Sequence, residues 1–467
     1  MSNNIKFIEK QNGITEDDCI KFSKLSGDFN PIHLDSNYAY KSMFGEQIVY
    51  GSLQILKCLN LFAKQVKKSI FIKKLKVLFK TALYLNKQYL IRGEFDDNKA
   101  IIQLYQNEVL VCKIALDYES NKVSDKPYNT DIYIKDVPNQ QESNQLIVDN
   151  LDFNYAACKD IFPETFIFIN KSCIGSILMS TRVIGMKCPG LNSIFNSLEL
   201  TFTQQSQDNS TTCFCDCSIN QFNSCTIKIN SKHCFGILRA FVRPKPIIQN
   251  SIRLLKKNNY ILNNLKNKKV LVIGGSNGIG SQCCKILSLS GAQVLFTYYR
   301  DKDAAKKLKD EIDSECQQKI NYHQFDILNY SVDTINKLKL FSAEVLIYFA
   351  TPKINDKHSK QLSANIFKEF TNCYIFQFDK LINEIGIRNL KVIFSPSSSA
   401  IEDLPQNMLE YALAKSAFET YMRILSKFGI KVLCPRFPRV HTSLSQSILN
   451  IKDILPEDIL YKYLSEI

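Results

Sequence analysis

Two different orders of hydrophobic segments share this chain, and they divide it before any single residue is considered. Residues 48–66 (IVYGSLQILKCLNLFAKQV) carry apolar residues at helical spacing and are long enough for a buried helix. Short β-rich runs follow: KKLKVLFKTA, QYLIRGEF, AIIQLYQ and EVLVCKIALDY. A second helix is predicted around Lys171–Met186, followed by SIFNSLELTFT, TTCFCDCSI, CTIKIN and FGILRAFVRP. One long helix ahead of an antiparallel sheet, twice over, is an α+β unit repeated in tandem. Further on the pattern changes. The runs KVLVIGG, AQVLFTYY, AEVLIYFAT, LKVIFSPS and IKVLCPR alternate with helical stretches, which predicts an α/β part with a doubly wound parallel sheet.

Polar stretches mark the joints. Apolar periodicity disappears after Glu119, and a basic segment with prolines at its start follows Lys245. The expected division is 1–120, 140–245, a linker at 246–267, and 268–467. Apolar residues make up 45% of the 467, too many for a mostly disordered chain. With no uncharged apolar run of about 18 residues and no apolar leader at the start, we expect no membrane span and a cytoplasmic location. There the 16 cysteines stay reduced. No Cys or His cluster has zinc spacing, so no metal is expected. Cys213, Cys215 and Cys217 share one face of a strand, which reads as small apolar packing. The net charge of +14 is dispersed, not gathered in a stripe with interleaved aromatics. That points away from nucleic acid and towards anionic small ligands or an acidic carrier protein.

The segment LSGDFNPIHLDSNYAYKSMFGEQIVYGSL holds Asp28 and His33 on either side of Asn30-Pro31, a turn former. A carboxylate and an imidazole around one water can activate it and manage the proton at carbon. The run Gly27, Asp28, Asn30, Pro31, His33, Asp35, then Phe44-Gly45, then Ile48, Val49 and Gly51 resembles the signature of the MaoC-like dehydratases, the hotdog-fold (R)-specific enoyl hydratases. The resemblance implies that Asp28 and His33 are the pair that adds or removes water across a 2-enoyl thioester, with Asn30 beside the substrate. Tyr50 departs from it, since the family usually has histidine there. Gly51 opens the helix, where free N–H groups would stabilise a thioester oxyanion. The segment STRVIGMKCPGLNSIFNSLELTF resembles a second hotdog unit without its own Asp-x4-His pair. Together they imply a double hotdog with one competent site.

VLVIGGSNGIG puts Gly274, Gly278 and Gly280 between a β-run and a helical one, as a turn cradling pyrophosphate requires. Its spacing, with Ser276, Asn277 and Ile279, resembles the short-chain dehydrogenase/reductase family and so a Rossmann-type domain. No acid stands at 297–299 and Arg300 follows, which favours a 2′-phosphate and hence NADPH (NADP). Asp326 matches the family aspartate near adenine, and Ala350 lies in Tyr348-Phe349-Ala350-Thr351, where the family has Asn-Asn-Ala-Gly. Tyr411 and Lys415 in EYALAKSAFE share a helix face, so the ammonium is expected to lower the phenol pKa. Ser398 stands 13 residues before Tyr411, and Asn372 best matches the family's helix asparagine. Together the resemblances imply a bifunctional enzyme passing an acyl-CoA or acyl-carrier-protein thioester between a dehydratase and a 3-oxoacyl reductase, with a second copy of the chain as a further candidate partner. The alternatives are an oxidative direction, or a non-catalytic carrier-binding protein with a decayed reductase.

Overall fold

The computed structural model describes residues 4–120, 145–152, 154–203, 210–220, 222–231, 233–244, 247–316, 319–352, 354, 362–445 and 453–467. They fall into two compact units, Met1–Lys245 and Pro246–Gln446 with Ile451–Ile467.

The first unit contains strands β1 (Ile5–Gln11), β2 (Ile70–Phe79), β3 (Tyr89–Phe95), β4 (Lys99–Gln106), β5 (Val109–Ser120), β6 (Gln145–Asp152), β7 (Ser193–Phe202), β8 (Ser210–Ile219), β9 (Ser224–Ser231) and β10 (Cys234–Val242). They form one sheet in the order β1-β3-β4-β5-β2-β7-β10-β9-β8-β6. Read outward from the β2–β7 seam, both halves show one strand order, so the tandem repeat seen in the sequence is also a repeat of topology. The seam is antiparallel and apolar, pairing Leu75 with Leu200 and Val77 with Leu198. Helices α1 (Glu16–Ser26), α2 (Pro31–Leu34), α3 (Ser36–Tyr40) and α4 (Gly51–Val66) belong to the first repeat, and α5 (Tyr155–Ile161), α6 (Pro163–Phe168) and α7 (Lys171–Arg182) to the second. Leu53, Ile55, Leu56, Leu59 and Phe62 of α4 are fully buried, as are Ile174, Ile177 and Leu178 of α7. Each long helix thus packs against its own sheet half.

The end of α1 aims the Asp28 loop. Thr15 and Asp18 form a capping box at its start, and Gly27 ends it in the left-handed region with φ 67°. Instead of a plain turn, Asn30-Pro31 opens a one-turn helix. Asn30 caps α2 through the Ile32 N–H, and Pro31 sits in its first turn.

The cysteine expectation needs correction at one point. The β8–β9 hairpin brings Cys217 within 3.5 Å of Cys225, and the turn after α7 brings Cys188 within 3.7 Å of the same sulfur. Cys188 and Cys217 are joined as a disulfide, so not every thiol is reduced. Cys213, Cys215 and Cys217 do share one buried face, with Phe214 half exposed on the other.

The second unit holds β11 (Lys269–Ile273), β12 (Gln293–Tyr298), β13 (Asn321–Gln324), β14 (Val345–Tyr348), β15 (Val392–Phe394), β16 (Ser397–Ser398), β17 (Lys431–Leu433) and β18 (Arg436–Phe437). Six of them pair in parallel in the order β13-β12-β11-β14-β15-β17, and β16 pairs separately with β18. Helices α8 (Ile252–Lys257), α9 (Gly278–Leu289), α10 (Lys302–Glu315), α11 (Val332–Leu340), α12 (Ala364–Thr371), α13 (Gln377–Ile385), α14 (Ala400–Asp403), α15 (Leu409–Ser426) and α16 (Pro456–Leu464) connect and cover the strands. The order reverses between β11 and β14, where such sheets form their ligand crevice. The stretch read as a linker, 246–267, is instead built in. It contains α8, and Ile252, Leu255, Leu262 and Leu265 join the core of this unit.

Candidate active sites

Asp28 is only 1% exposed, and the second repeat surrounds it. Its Oδ2 accepts a 2.7 Å hydrogen bond from the Thr181 hydroxyl on α7, and Oδ1 accepts one from the Asn30 backbone N–H at 3.1 Å. Gly185, in the π-turn Val183–Lys187 after α7, backs onto both oxygens, and a methyl there would lie 2.4 Å from each. Burial raises the Asp28 pKa to about 7, opposed by the Thr181 and Asn30 hydrogen bonds and by the Arg182 guanidinium. A carboxyl poised there can take up or give up a proton near neutrality.

His33, in α2, places Nδ1 2.7 Å from the Ile48 carbonyl. Only a protonated Nδ1 can bond a carbonyl, so Nε2 is left with the lone pair. Burial pushes the imidazole pKa down and Arg243 adds to this, so the ring stays neutral. Tyr50 touches both members of the pair. Its ring lies 3.8 Å from the His33 ring, and its hydroxyl donates to the Asp28 backbone carbonyl at 2.8 Å. The departure at position 50 is therefore a fully buried brace. The structure places two expected substrate residues differently. Asn30 directs its side-chain amide at the carbonyls of Gly185, Gly190 and Leu191, so it clamps the second repeat and has no N–H to spare. Gly51 opens α4, whose first turn has no side-chain cap, but a Cβ on it would meet the Phe79 ring at 2.8 Å and Phe195 at 3.2 Å. A side chain there would have to push these two rings aside.

In the second unit the glycine turn lies at the ends of β11 and β14. Gly274 has φ 81°, and a Cβ there would come 3.3 Å from the Ala350 backbone nitrogen. Thr297 at the end of β12 holds the turn, its hydroxyl accepting from the Gly274 N–H at 3.0 Å and its carbonyl from Gly275 at 2.8 Å. A Cβ on Gly280 would sit 2.1 Å from the Gly274 carbonyl oxygen, so helix and turn touch backbone to backbone. Gly278 has φ 53° and faces Thr442. Asn277 precedes α9 without a side-chain cap and bonds Ser276 instead, while Ile279 packs against the core. This leaves the cradle and uncapped helix start that a pyrophosphate fits. Arg300 is exposed and bonds the Tyr299 hydroxyl at 2.9 Å. Asp326 accepts from the Leu328 N–H at 3.0 Å.

Ser398 on β16 and Tyr411 on α15 come together. Burial raises the phenol pKa, and its hydrogen bond with Ser398 draws it back down. Lys415 does not lower it, contrary to the expectation above. Its ammonium donates to the Pro396 carbonyl at 2.9 Å and lies 4.0 Å from the centre of the Tyr374 ring. Burial lowers the Lys415 pKa to about 8. Asn372 begins a π-turn, Asn372–Phe376, and accepts from Gln377 at 3.4 Å. The residue this turn presents to Lys415 is Tyr374, whose hydroxyl lies 2.5 Å from that of Thr351 after β14.

Residues 6–111, which hold the Asp28–His33 loop, match the family model of the MaoC like domain. Residues 268–346, which hold the glycine turn, match that of short chain dehydrogenase. The chain carries a MaoC-like domain and a short-chain dehydrogenase domain. A stretch of 44 residues is 50% identical to a cyclic-di-GMP-binding biofilm dispersal mediator protein of Escherichia coli K12, covering 9% of this chain and 19% of that protein. The chain thus spans about a fifth of that curated relative. A short chain dehydrogenase of Escherichia coli CFT073, crystallised with NADPH, is 17% identical with a TM-score of 0.39, over 43% of this chain and 91% of its own. One from Burkholderia cenocepacia J2315 in complex with NADP is 20% identical with a TM-score of 0.37, over 42% and 88%.

Around the MaoC-like domain, Thr181 and Gly185 stood in the segment STRVIGMKCPGLNSIFNSLELTF, where sequence reasoning gave neither a role. In the short-chain dehydrogenase domain it missed Thr297 and Tyr374. Thr297, the residue that ties the glycine turn to β12, stood in AQVLFTYY, where a hydroxyl inside an apolar run was the available signal.

Proposed function

We propose that this chain is a bifunctional acyl-thioester enzyme: a double hotdog that interconverts (R)-3-hydroxyacyl and trans-2-enoyl thioesters, fused to an NADPH-dependent 3-oxoacyl reductase. The observation that carries the reading is the buried Asp28 carboxyl, held by Thr181 and the Asn30 N–H, with Tyr50 bridging its backbone to the His33 ring. A water held by Asp28 and the free Nε2 of His33 gives a proton to this pair as its oxygen bonds carbon 3. Carbon 2 receives a proton from the same pair, and dehydration runs these steps backwards. The repeated strand order supports the double hotdog, with the second repeat as the wall of the site.

For the reductase, Gly274, Gly278 and Gly280 would hold the pyrophosphate, Ala350 would line the crevice, and Arg300 would meet the 2′-phosphate. NADPH supplies the hydride when bound. Ser398 orients the substrate carbonyl and Tyr411 protonates its oxygen. Lys415 holds the ribose after leaving the Tyr374 ring.

Two assays on the full chain test both halves. Crotonyl-CoA should lose its enoyl absorbance with wild type and keep it with Asp28→Ala. Acetoacetyl-CoA should drive NADPH oxidation that vanishes in Tyr411→Phe. Full activity in either variant overturns the corresponding half. The present hold on Lys415 favours one second reading, a reductase domain without turnover, and that assay with wild type decides it.

A further inference from the structure

Two hydroxyls within α7 bond back to their own helix. Ser176 donates to the Ser172 carbonyl at 2.8 Å and Ser180 to the Ile177 carbonyl at 2.7 Å, the usual fate of a hydroxyl inside a helix. Thr181 is 4% exposed, and its hydroxyl instead leaves the helix to reach Asp28 across 153 positions of sequence. We propose that Thr181 is the positioning residue of the Asp28 carboxylate, its hydroxyl holding Oδ2 so that the group presents a fixed edge to the reacting water. This rests on the hydratase reading of the same site.

The surroundings leave few other means of fixing the group. Gly185 closes one side without offering a side chain, and Asn30 supplies only a backbone N–H to Oδ1. Arg182 is the charged neighbour on α7, and its guanidinium donates to the Gly27 carbonyl at 3.2 Å. Tyr50 on the α4 side donates to the Asp28 backbone carbonyl, and His33 on α2 stacks on Tyr50. Among the described residues these are the titratable and charged groups facing the carboxyl. Thr181 is the one side-chain hydroxyl on it. A hydroxyl donor also favours the ionised form, so losing it makes the proton harder to remove.

The experiment compares wild type, Thr181→Val, Thr181→Ala and Thr181→Ser as full chains, each with and without Asp28→Asn. Asp28 is titrated without substrate, from the pH dependence of the unfolding free-energy difference within each pair. Crotonyl-CoA hydration is followed across the same pH range. Val and Ala should move the Asp28 midpoint up by about one pH unit, the scale of one hydrogen bond to a charged group. They should lower kcat about tenfold with KM little changed, and Ser should restore both readouts. Two substitutions of different size keep the test open if one fails to fold. A midpoint that stays put in Val and Ala overturns the proposal, whatever the activity. A shifted midpoint in a chain whose wild type does not hydrate crotonyl-CoA overturns the hydratase reading and leaves the Thr181–Asp28 coupling standing.

Discussion

Replacing Asp28 by asparagine should stabilise this chain at neutral pH while removing its dehydratase activity. In the folded chain burial raises the Asp28 pKa from the ordinary 3.8 to about 7. Below 3.8 the carboxyl is protonated whether the chain is folded or not, and its burial costs no ionisation. Between 3.8 and about 7 the unfolded chain gives up the proton and the folded chain keeps it. The folded state then binds more protons, so stability falls with rising pH, by about 1.4 kcal/mol per unit. Over about three units the loss reaches about 4 kcal/mol, and above the folded pKa it is constant. Asparagine can still accept the Thr181 bond and carries no such penalty. Urea unfolding of wild type and Asp28→Asn, followed by far-UV circular dichroism, should show the variant gaining about 3 kcal/mol on wild type between about pH 4.5 and pH 8. A difference that stays flat with pH would refute the reasoning, since it would mean that Thr181, Asn30 and Arg182 cancel the desolvation. A difference that falls with pH would mean that they outweigh it.

Gly185→Ala should abolish hydration while leaving 3-oxoacyl reduction intact, because its methyl would collide with both Asp28 oxygens. Overpacking of this kind costs about 1–3 kcal/mol, readable as a lower urea midpoint. Gly280→Ala should eliminate NADPH binding, measured by nucleotide fluorescence, because its Cβ would sit 2.1 Å from a backbone oxygen that cannot step aside. Leu404 ends α14 with φ 44° and is 68% exposed, so Leu404→Gly should stabilise the second unit by up to about 1 kcal/mol in the same urea assay. Tyr50→Phe should cost about 1–3 kcal/mol in that assay, since it leaves the Asp28 carbonyl without its buried donor.

What could be read from the sequence was what lies close together in it. Asp28 and His33 share one loop, the glycines share one turn, and Ser398 and Tyr411 flank one strand-to-helix connection. Each carries its chemistry at a fixed short spacing, so the pattern survives without any fold. Thr181 has no such pattern. It is a threonine after three serines on an apolar helix, and only the approach of the first repeat gives its hydroxyl a purpose. Tyr374 likewise looks like one more aromatic until a π-turn rotates it under Lys415. The strand β13, NYHQ, lacks an apolar run because it is the edge of the sheet, paired on one side alone. Residues 246–267 read as a linker because four basic side chains and six asparagines are interleaved with the four leucine and isoleucine anchors that hold the segment down.

The reach from residue 28 to residue 181 also sets a timetable. A chain made from its N-terminus has its α4 and β2–β5 sequence in hand well before the residues that close around Asp28 exist. At about 5–20 residues per second, the 153 positions between them take about 8–30 s to synthesise. Throughout that interval Asp28 is an ordinary solvated carboxylate, ionised at cellular pH, and Asn30 has no carbonyls to clamp. It must then lose water, and with it much of its charge, as α7 arrives. The proposed acid–base centre is therefore assembled late and all at once, and a chain released before residue 181 has every residue of the Asp28–His33 motif and none of the second-repeat groups that close on it.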